Sequence, residues 1–243
     1  MQIDMPSAIE FTAKKLRSNK KKAFRGCDVY GLGFIFSDDE KNGQAGPLQD
    51  MNDLVSANPH NAELIMPFIG GKELATDPAQ KATRFAINFA NMSLQEATKW
   101  PDLLQIVENK VKPHRARLGG YSVAIRRRDY WWQYGTYTPA LYNAIRSQSR
   151  VLAISRITTY IAFAFLPAKT IFNEKVIVLA ASGEERDFAV VSSRVHELWA
   201  LMWGTTLGET PNYSPPDCFE TFPFPVAHES SDQLRKVGLA YDE

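Results

Sequence analysis

Several short runs in this chain hold residue types that do chemistry, and each points to a different reaction. Ser214-Pro215-Pro216-Asp217 has three members of a tetrad suited to methyl transfer onto an amine. In such a tetrad the polar residue and a backbone carbonyl hold the amine while an aromatic stacks on a flipped base. Asp217 occupies the stacking position, so the platform is missing. Asp28 with Gly31-Leu32-Gly33-Phe34 mimics a loop that cradles S-adenosylmethionine. That loop must leave a strand and open a helix, whereas Ile35-Phe36 reads as the same strand continuing. Pro101-Asp102 with Glu108-Asn109-Lys110 has the letters of a metal-dependent nuclease. Carboxylates on one helix do not share a metal as those on adjacent strands do. His196-Glu197 lacks the second histidine of a zinc protease, because Ala200 stands there, and His196 reads as structural. Cys27 and Cys218 sit in no metal-ligand spacing. No catalytic residue, metal ligand or cofactor-binding residue is assigned.

Binding is better supported than catalysis. The net charge is +1, yet half of the 28 basic residues fall in two acid-free stretches. One holds Lys14, Lys15, Arg17, Lys20, Lys21, Lys22 and Arg25; the other holds Lys110, Lys112, Arg115, Arg117, Arg126, Arg127 and Arg128. Charge segregated in this way suits a polyanion, although each stretch could equally be a solvated face. Lys20, Lys21, Lys22, Arg126, Arg127 and Arg128 are the candidates for gripping DNA phosphates. Tyr130-Trp131-Trp132-Gln133-Tyr134-Gly135 follows Arg128 directly. It could stack on bases, but tryptophans at this density read more readily as core.

Ser155, Arg156, Thr158, Thr159 and Tyr160 are the candidates for base readout. They lie between two apolar runs, 151–154 and 161–165, which would hold polar side chains rigidly. Arginine can bond guanine through two hydrogen bonds, and threonine can touch a thymine methyl. The competing reading of Arg156 is structural, bonded to a loop carbonyl or to Glu174.

The elements that must position these residues are α and β mixed. Helices are expected over 48–55, 62–68, after the capping box Ser93-Leu94-Gln95-Glu96, from Pro101, and from Pro139. Strands are expected over 27–36, 84–89, 151–155, 161–166 and 176–181. Phe188, Val191, Val195, Leu198 and Met202 recur at helical spacing and predict one amphipathic helix ending at Gly204. The run 213–225 carries four prolines, which exclude a helix. It also carries Phe219, Phe222 and Phe224, so it reads as an extended strap whose rings plug a core. A capped helix should follow from Ser230. The expected fold class is α+β, a twisted, mainly antiparallel sheet with packed helices. The expected domains are a basic segment 1–25, a main domain 26–225 and the start of a helical extension, 226–243. No apolar run is long enough to span a bilayer and no signal peptide is read, so a reducing cytoplasm is expected.

With these residues read, the chain resembles the recognition region of MmeI-type restriction–modification enzymes. The resemblance is carried by Asn61-Ala62-Glu63, Pro67-Phe68-Ile69-Gly70-Gly71-Lys72-Glu73, Trp100-Pro101-Asp102-Leu103 and Trp131-Trp132-Gln133-Tyr134-Gly135. Ser155-Arg156, Phe163-Ala164-Phe165-Leu166-Pro167, Ser193-Arg194-Val195-His196-Glu197-Leu198-Trp199 and Asp217-Cys218-Phe219-Glu220-Thr221-Phe222-Pro223-Phe224-Pro225 continue it in order. Phage-defence methyltransferases of similar layout share the last part. The resemblance implies sequence-specific recognition of double-stranded DNA as the specificity domain of an adenine-specific methyltransferase or restriction enzyme. It further implies a catalytic methyltransferase domain in cis or trans that binds S-adenosylmethionine, and places specificity near Ser155-Arg156. The alternatives are a free-standing enzyme (a methyltransferase remnant) and a protein-interaction module with a basic face.

Overall fold

The structure is a computed structural model describing residues 17–40, 43–180 and 185–242. Strand β1 (Ala23–Arg25) follows the lysine run. The continuous strand expected over 27–36 does not form. Cys27 and Asp28 make single bridges to Asn173 and Thr136. Tyr30 and Gly31 then take φ of 47° and 147°, which no pleated strand accommodates. A 3-10 turn over Leu32–Phe34 leads into β2 (Ile35–Phe36). Helix α1 (Leu48–Ala57) lays Leu48, Met51 and Leu54 on the core.

The next expected helical turn is instead a 3-10 turn, Pro59–Glu63, and then strand β3 (Ile65–Ile69). Pairing along the strand overrides local propensity here. Helix α2 (Gly71–Thr76) leads to β4 (Arg84–Ile87), which pairs with β3 from Ile65↔Ile87 to Phe68↔Arg84. Helix α3 (Leu94–Ala97) starts at the expected capping box: Ser93 Oγ accepts from Glu96 N at 3.2 Å, and Glu96 Oε2 from Ser93 N at 2.7 Å. Helix α4 (Pro101–Lys110) begins with proline in its first turn, where no amide is needed. Asp102 on α4 accepts from Asn61 and Asn58, so it clasps the preceding turn. Three helices follow: α5 (Lys112–Arg115), α6 (Ser122–Asp129) and α7 (Pro139–Ile145).

The strand-rich part comprises β5 (Arg150–Ser155), β6 (Ala164–Pro167), β7 (Ile171–Phe172) and β8 (Val176–Leu179). Two four-stranded sheets result, ordered β1-β8-β5-β6 and β2-β4-β3-β7. Every pairing is antiparallel except β3 with β7. The α+β, mainly antiparallel expectation holds, with two four-stranded sheets and one two-stranded sheet among the described residues in place of one sheet. The β5 sheet is covered on both faces. Leu152 and Ile154 join one apolar cluster and Val151 and Ala153 another, as the two-residue period requires.

The single helix expected over 188–202 is two: α8 (Glu185–Val191) and α9 (Arg194–Trp203). Ser193 Oγ donates to Val190 O at 2.6 Å and accepts from His196 N at 3.3 Å, ending one helix and capping the next. The chain turns there, and Val195, Leu198 and Met202 are left 68%, 49% and 72% exposed. A hairpin, β9 (Thr205–Leu207) and β10 (Thr210–Asn212), stands next. In the strap, Pro215–Phe219 forms one wide helical turn, which the proline count had excluded. Pro215 and Pro216 occupy its start, where a missing amide costs nothing. Of the three rings expected to plug the core, Phe219 and Phe222 are buried and Phe224 is half-buried against the same cluster, and Tyr213 is buried beside them. Helix α10 (Asp232–Asp242) is capped by Ser231 Oγ accepting from Leu234 N.

Candidate nucleic-acid interface

The loop leaving β5 is held by backbone on both sides. Arg156 N donates to Lys175 O at 2.7 Å, and Arg156 O accepts from Tyr213 N at 2.7 Å. Ile157 bridges Asn212, and Thr158 N donates to Pro211 O at 3.1 Å. Residues 156–158 thus lie along β10 as a short extra strand. Ser155 Oγ donates to Ile157 O, while Thr158 Oγ1 donates to Tyr160 O and accepts from Tyr160 N, closing the tip. The five residues expected to read bases therefore come together, but with divided roles. Ser155 is buried and structural. The Thr158 hydroxyl is committed to its own turn. Thr159 and Tyr160 are exposed, Tyr160 at 75%.

Arg156 does not pair with Glu174, which instead holds Arg25. Among the described residues its side chain makes no hydrogen bond or ion pair, and its Nε is enclosed without an acceptor. Buried guanidinium nitrogens are rarely left so in a finished interface. A cleft of about 450 Å³ opens beside the loop, lined by Leu74 and Ala75 of α2, by Thr158–Tyr160 and by Thr210.

Thr210 belongs to the hairpin, which the sequence reading missed. Its signal was present: Thr205-Thr206-Leu207 and Thr210 flank Gly208-Glu209, a glycine-led two-residue turn, and Gly208 has φ +61°. Behind the loop, Tyr213 OH lies 3.0 Å from His196 Nε2, both fully enclosed. Burial pushes the imidazole down to about 4 and the phenol well above its ordinary range. The structural reading of His196 fits this setting.

The basic candidates are placed differently. Lys20, Lys21 and Lys22 are exposed on a segment fixed by buried Asn19, whose Nδ2 donates to Phe219 O and Phe222 O. Lys14 and Lys15 lie outside the described residues. On α6, Arg127 is paired with Asp28 at 2.7 Å and stacked 3.8 Å over Tyr30. Arg126 donates to Gln133 Oε1 and Gly135 O, and Arg128 to Asp129. Arg115 is 2% exposed and donates to the carbonyls of Val29, Tyr30, Trp131 and Gln133. Burial, and then Arg127, lowers its pKa to about 10. Trp131 and Trp132 are core, as preferred, with Trp132 Nε1 donating to Met92 O.

With this geometry in place, comparison with known proteins is decisive at the level of family. The family model "MmeI, target recognition domain" matches residues 41–226. The chain belongs to that family. This target recognition domain is also similar in fold to a solved structure described as Type IIL restriction-modification enzyme MmeI in complex with DNA. The TM-score is 0.62 at 17% identity, over 88% of this chain and 25% of that one. The domain thus spans about a quarter of the length of that protein. No curated protein sequence matches it.

The target recognition domain does not fit S-adenosylmethionine at the Gly31-Leu32-Gly33 loop. A Cβ on Gly33 would lie 2.6 Å from Lys110 Cβ and 2.8 Å from Val111 Cγ2, so that glycine serves close packing on α4. It lies within a 3-10 turn that runs into strand β2, not into a helix. Among the described residues no His, Cys, Asp and Glu cluster could hold a metal ion, and no helix is long and apolar enough to cross a membrane.

Proposed function

We propose that this domain reads the sequence of double-stranded DNA as the specificity domain of an adenine-specific DNA methyltransferase or restriction enzyme. The observation that carries this is the loop over 155–160. Its backbone is fixed on two sides, while Thr159 and Tyr160 face solvent and Arg156 has no acceptor. A rigid polar edge with unspent donors is what base readout requires. Lys20, Lys21 and Lys22, with the outer arginines Arg126 and Arg128, contribute phosphate contacts, and Arg127 braces the segment that carries them. A catalytic methyltransferase domain, in cis or in trans, supplies the S-adenosylmethionine site and the chemistry. The unburied apolar side of α9, with Trp203 56% exposed, suits contact with such a domain. The cytoplasm is the compartment in which it would meet DNA.

The test restores a catalytic domain, substitutes Thr158, Thr159 and Tyr160, and maps methylated sites across a genome. A changed base at one or two target positions is expected, at about 1–3 kcal/mol per lost contact. An unchanged target methylated at a uniformly lower rate would remove base reading from this loop.

A further inference from the structure

The α6 arginines that stand out in the sequence are largely spent, whereas two lysines that do not stand out there are freer. A second cleft, of about 520 Å³, takes in Gly70, Gly71 and Lys72 at the start of α2. Its walls include Asp28, Glu174, Lys72, Arg84 and Lys175. Each acid there is already neutralised by an arginine: Asp28 by Arg127 and Glu174 by Arg25. Arg84 is held by both oxygens of Glu73, at 2.7 and 2.9 Å. The lysines remain. Lys175 has no ion pair among the described residues, although its backbone is fixed by Asn173 Oδ1 on one side and Arg156 N on the other. Lys72 meets only Asp39, at 3.6 Å, with side chains 72% and 68% exposed. Such a pair contributes little and exchanges readily for a phosphate.

Close packing joins this cleft to the reading loop. A Cβ on Gly71 would lie 2.9 Å from Ser155 Oγ and 3.8 Å from Lys175 Cβ, so α2, the β7–β8 turn and the end of β5 meet there. Lys72 lines one cleft, and Leu74 and Ala75, farther along the same helix, line the other.

We propose that Lys72 and Lys175 form a phosphate-contact site for the DNA strand whose bases face the loop over 156–160. The assignment rests on the DNA reading above and adds where the backbone runs: across Gly71, between the two clefts. Phosphate contacts set register, and Lys72, next to the packed Gly71, and Lys175, whose carbonyl accepts from Arg156 N, would set it for this loop.

The experiment measures affinity of the full chain for a labelled mixed-sequence duplex, by fluorescence anisotropy, across a range of salt concentrations. Each phosphate contact contributes about 0.9 to the slope of log affinity against log salt. Lys72→Ala with Lys175→Ala is expected to flatten the slope by about 2, each single substitution by about 1, and Lys72→Arg with Lys175→Arg to keep it. Lys99→Ala, at an exposed lysine that lines neither cleft, should leave the slope unchanged. A double variant that melts like the parent and keeps the parental slope overturns the proposal while leaving DNA reading intact. A parent chain that binds no duplex at any salt overturns the DNA reading itself, and this site with it.

Discussion

The α6 side and the β5 edge of the molecule use cations in opposite ways. Around α6 the basic residues are dense in sequence but turned to internal use. Arg115 is enclosed by carbonyls, Arg127 by Asp28 and Tyr30, and Lys112 covers Trp131. At the β5 edge the charges are sparse, yet Arg156 and Lys175 have no partner among the described residues while their backbones are fixed. Charge density therefore reports where cations are, whereas the partner inventory reports which are available to a ligand. In this chain the two disagree.

The largest test of that contrast is Arg115. Replacing it with leucine leaves several core carbonyls without donors, and stability should fall by about 3–5 kcal/mol in chemical denaturation. Lysine should not rescue it, because one ammonium cannot span the carbonyls that the planar guanidinium reaches. A loss below about 1 kcal/mol would mean that Arg115 is not the brace described, and the contrast would weaken.

The next test comes from acid. The folded-state value of His196, about 4, lies below its ordinary 6.5, so the unfolded chain takes up a proton first. Stability should be intact above pH 6.5 and fall by about 3 kcal/mol as pH drops to 4. His196→Gln should flatten that part of the profile. The loss belongs to the β5 edge, since His196 backs Tyr213, which holds Arg156. A variant with the parental pH profile would assign the acid sensitivity elsewhere.

The smallest effect on stability is expected at Arg156. Alanine there should shift unfolding by no more than about 0.5 kcal/mol. Discrimination at one base pair should nevertheless fall by about 1–3 kcal/mol in competition binding. A stability loss as large as that at Arg115 would make the two arginines alike.

What the sequence showed depended on whether the signal was local. Ser93-Glu96, Pro101 and Pro139 start helices because capping and proline geometry act within one turn, and all three were legible. The rings of Phe219 and Phe222 were legible as plugs because apolar area in a proline-rich run must be buried somewhere. The helix read over 62–68 is a strand from Ile65 because its strand character comes from β4, some twenty residues on. Residues 27–36 were misread as one strand because Tyr30, not only Gly31, adopts positive φ, and tyrosine does not announce that conformation. At the candidate site, the loop over 155–160 was legible from polar residues between apolar runs. Lys72 and Lys175 were not, since each is a lone charge that gains meaning only through Gly71 packing on Ser155.

Asn19 imposes an order of events. Its side chain bonds the carbonyls of Phe219 and Phe222, at sequence separations of 200 and 203. β1, a few residues on, pairs with β8. While the chain is being synthesised, neither partner yet exists when Asn19 and β1 emerge, and closing so long a loop carries the entropy cost of its length. The β2-β4-β3 sheet with α1 and α4, by contrast, is complete within residues 35–110. The strap thus fastens the start of the domain as well as plugging its core. Until Phe219 and Phe222 have been made, Asn19 has no carbonyls to bond, even where β1 can already pair with β8.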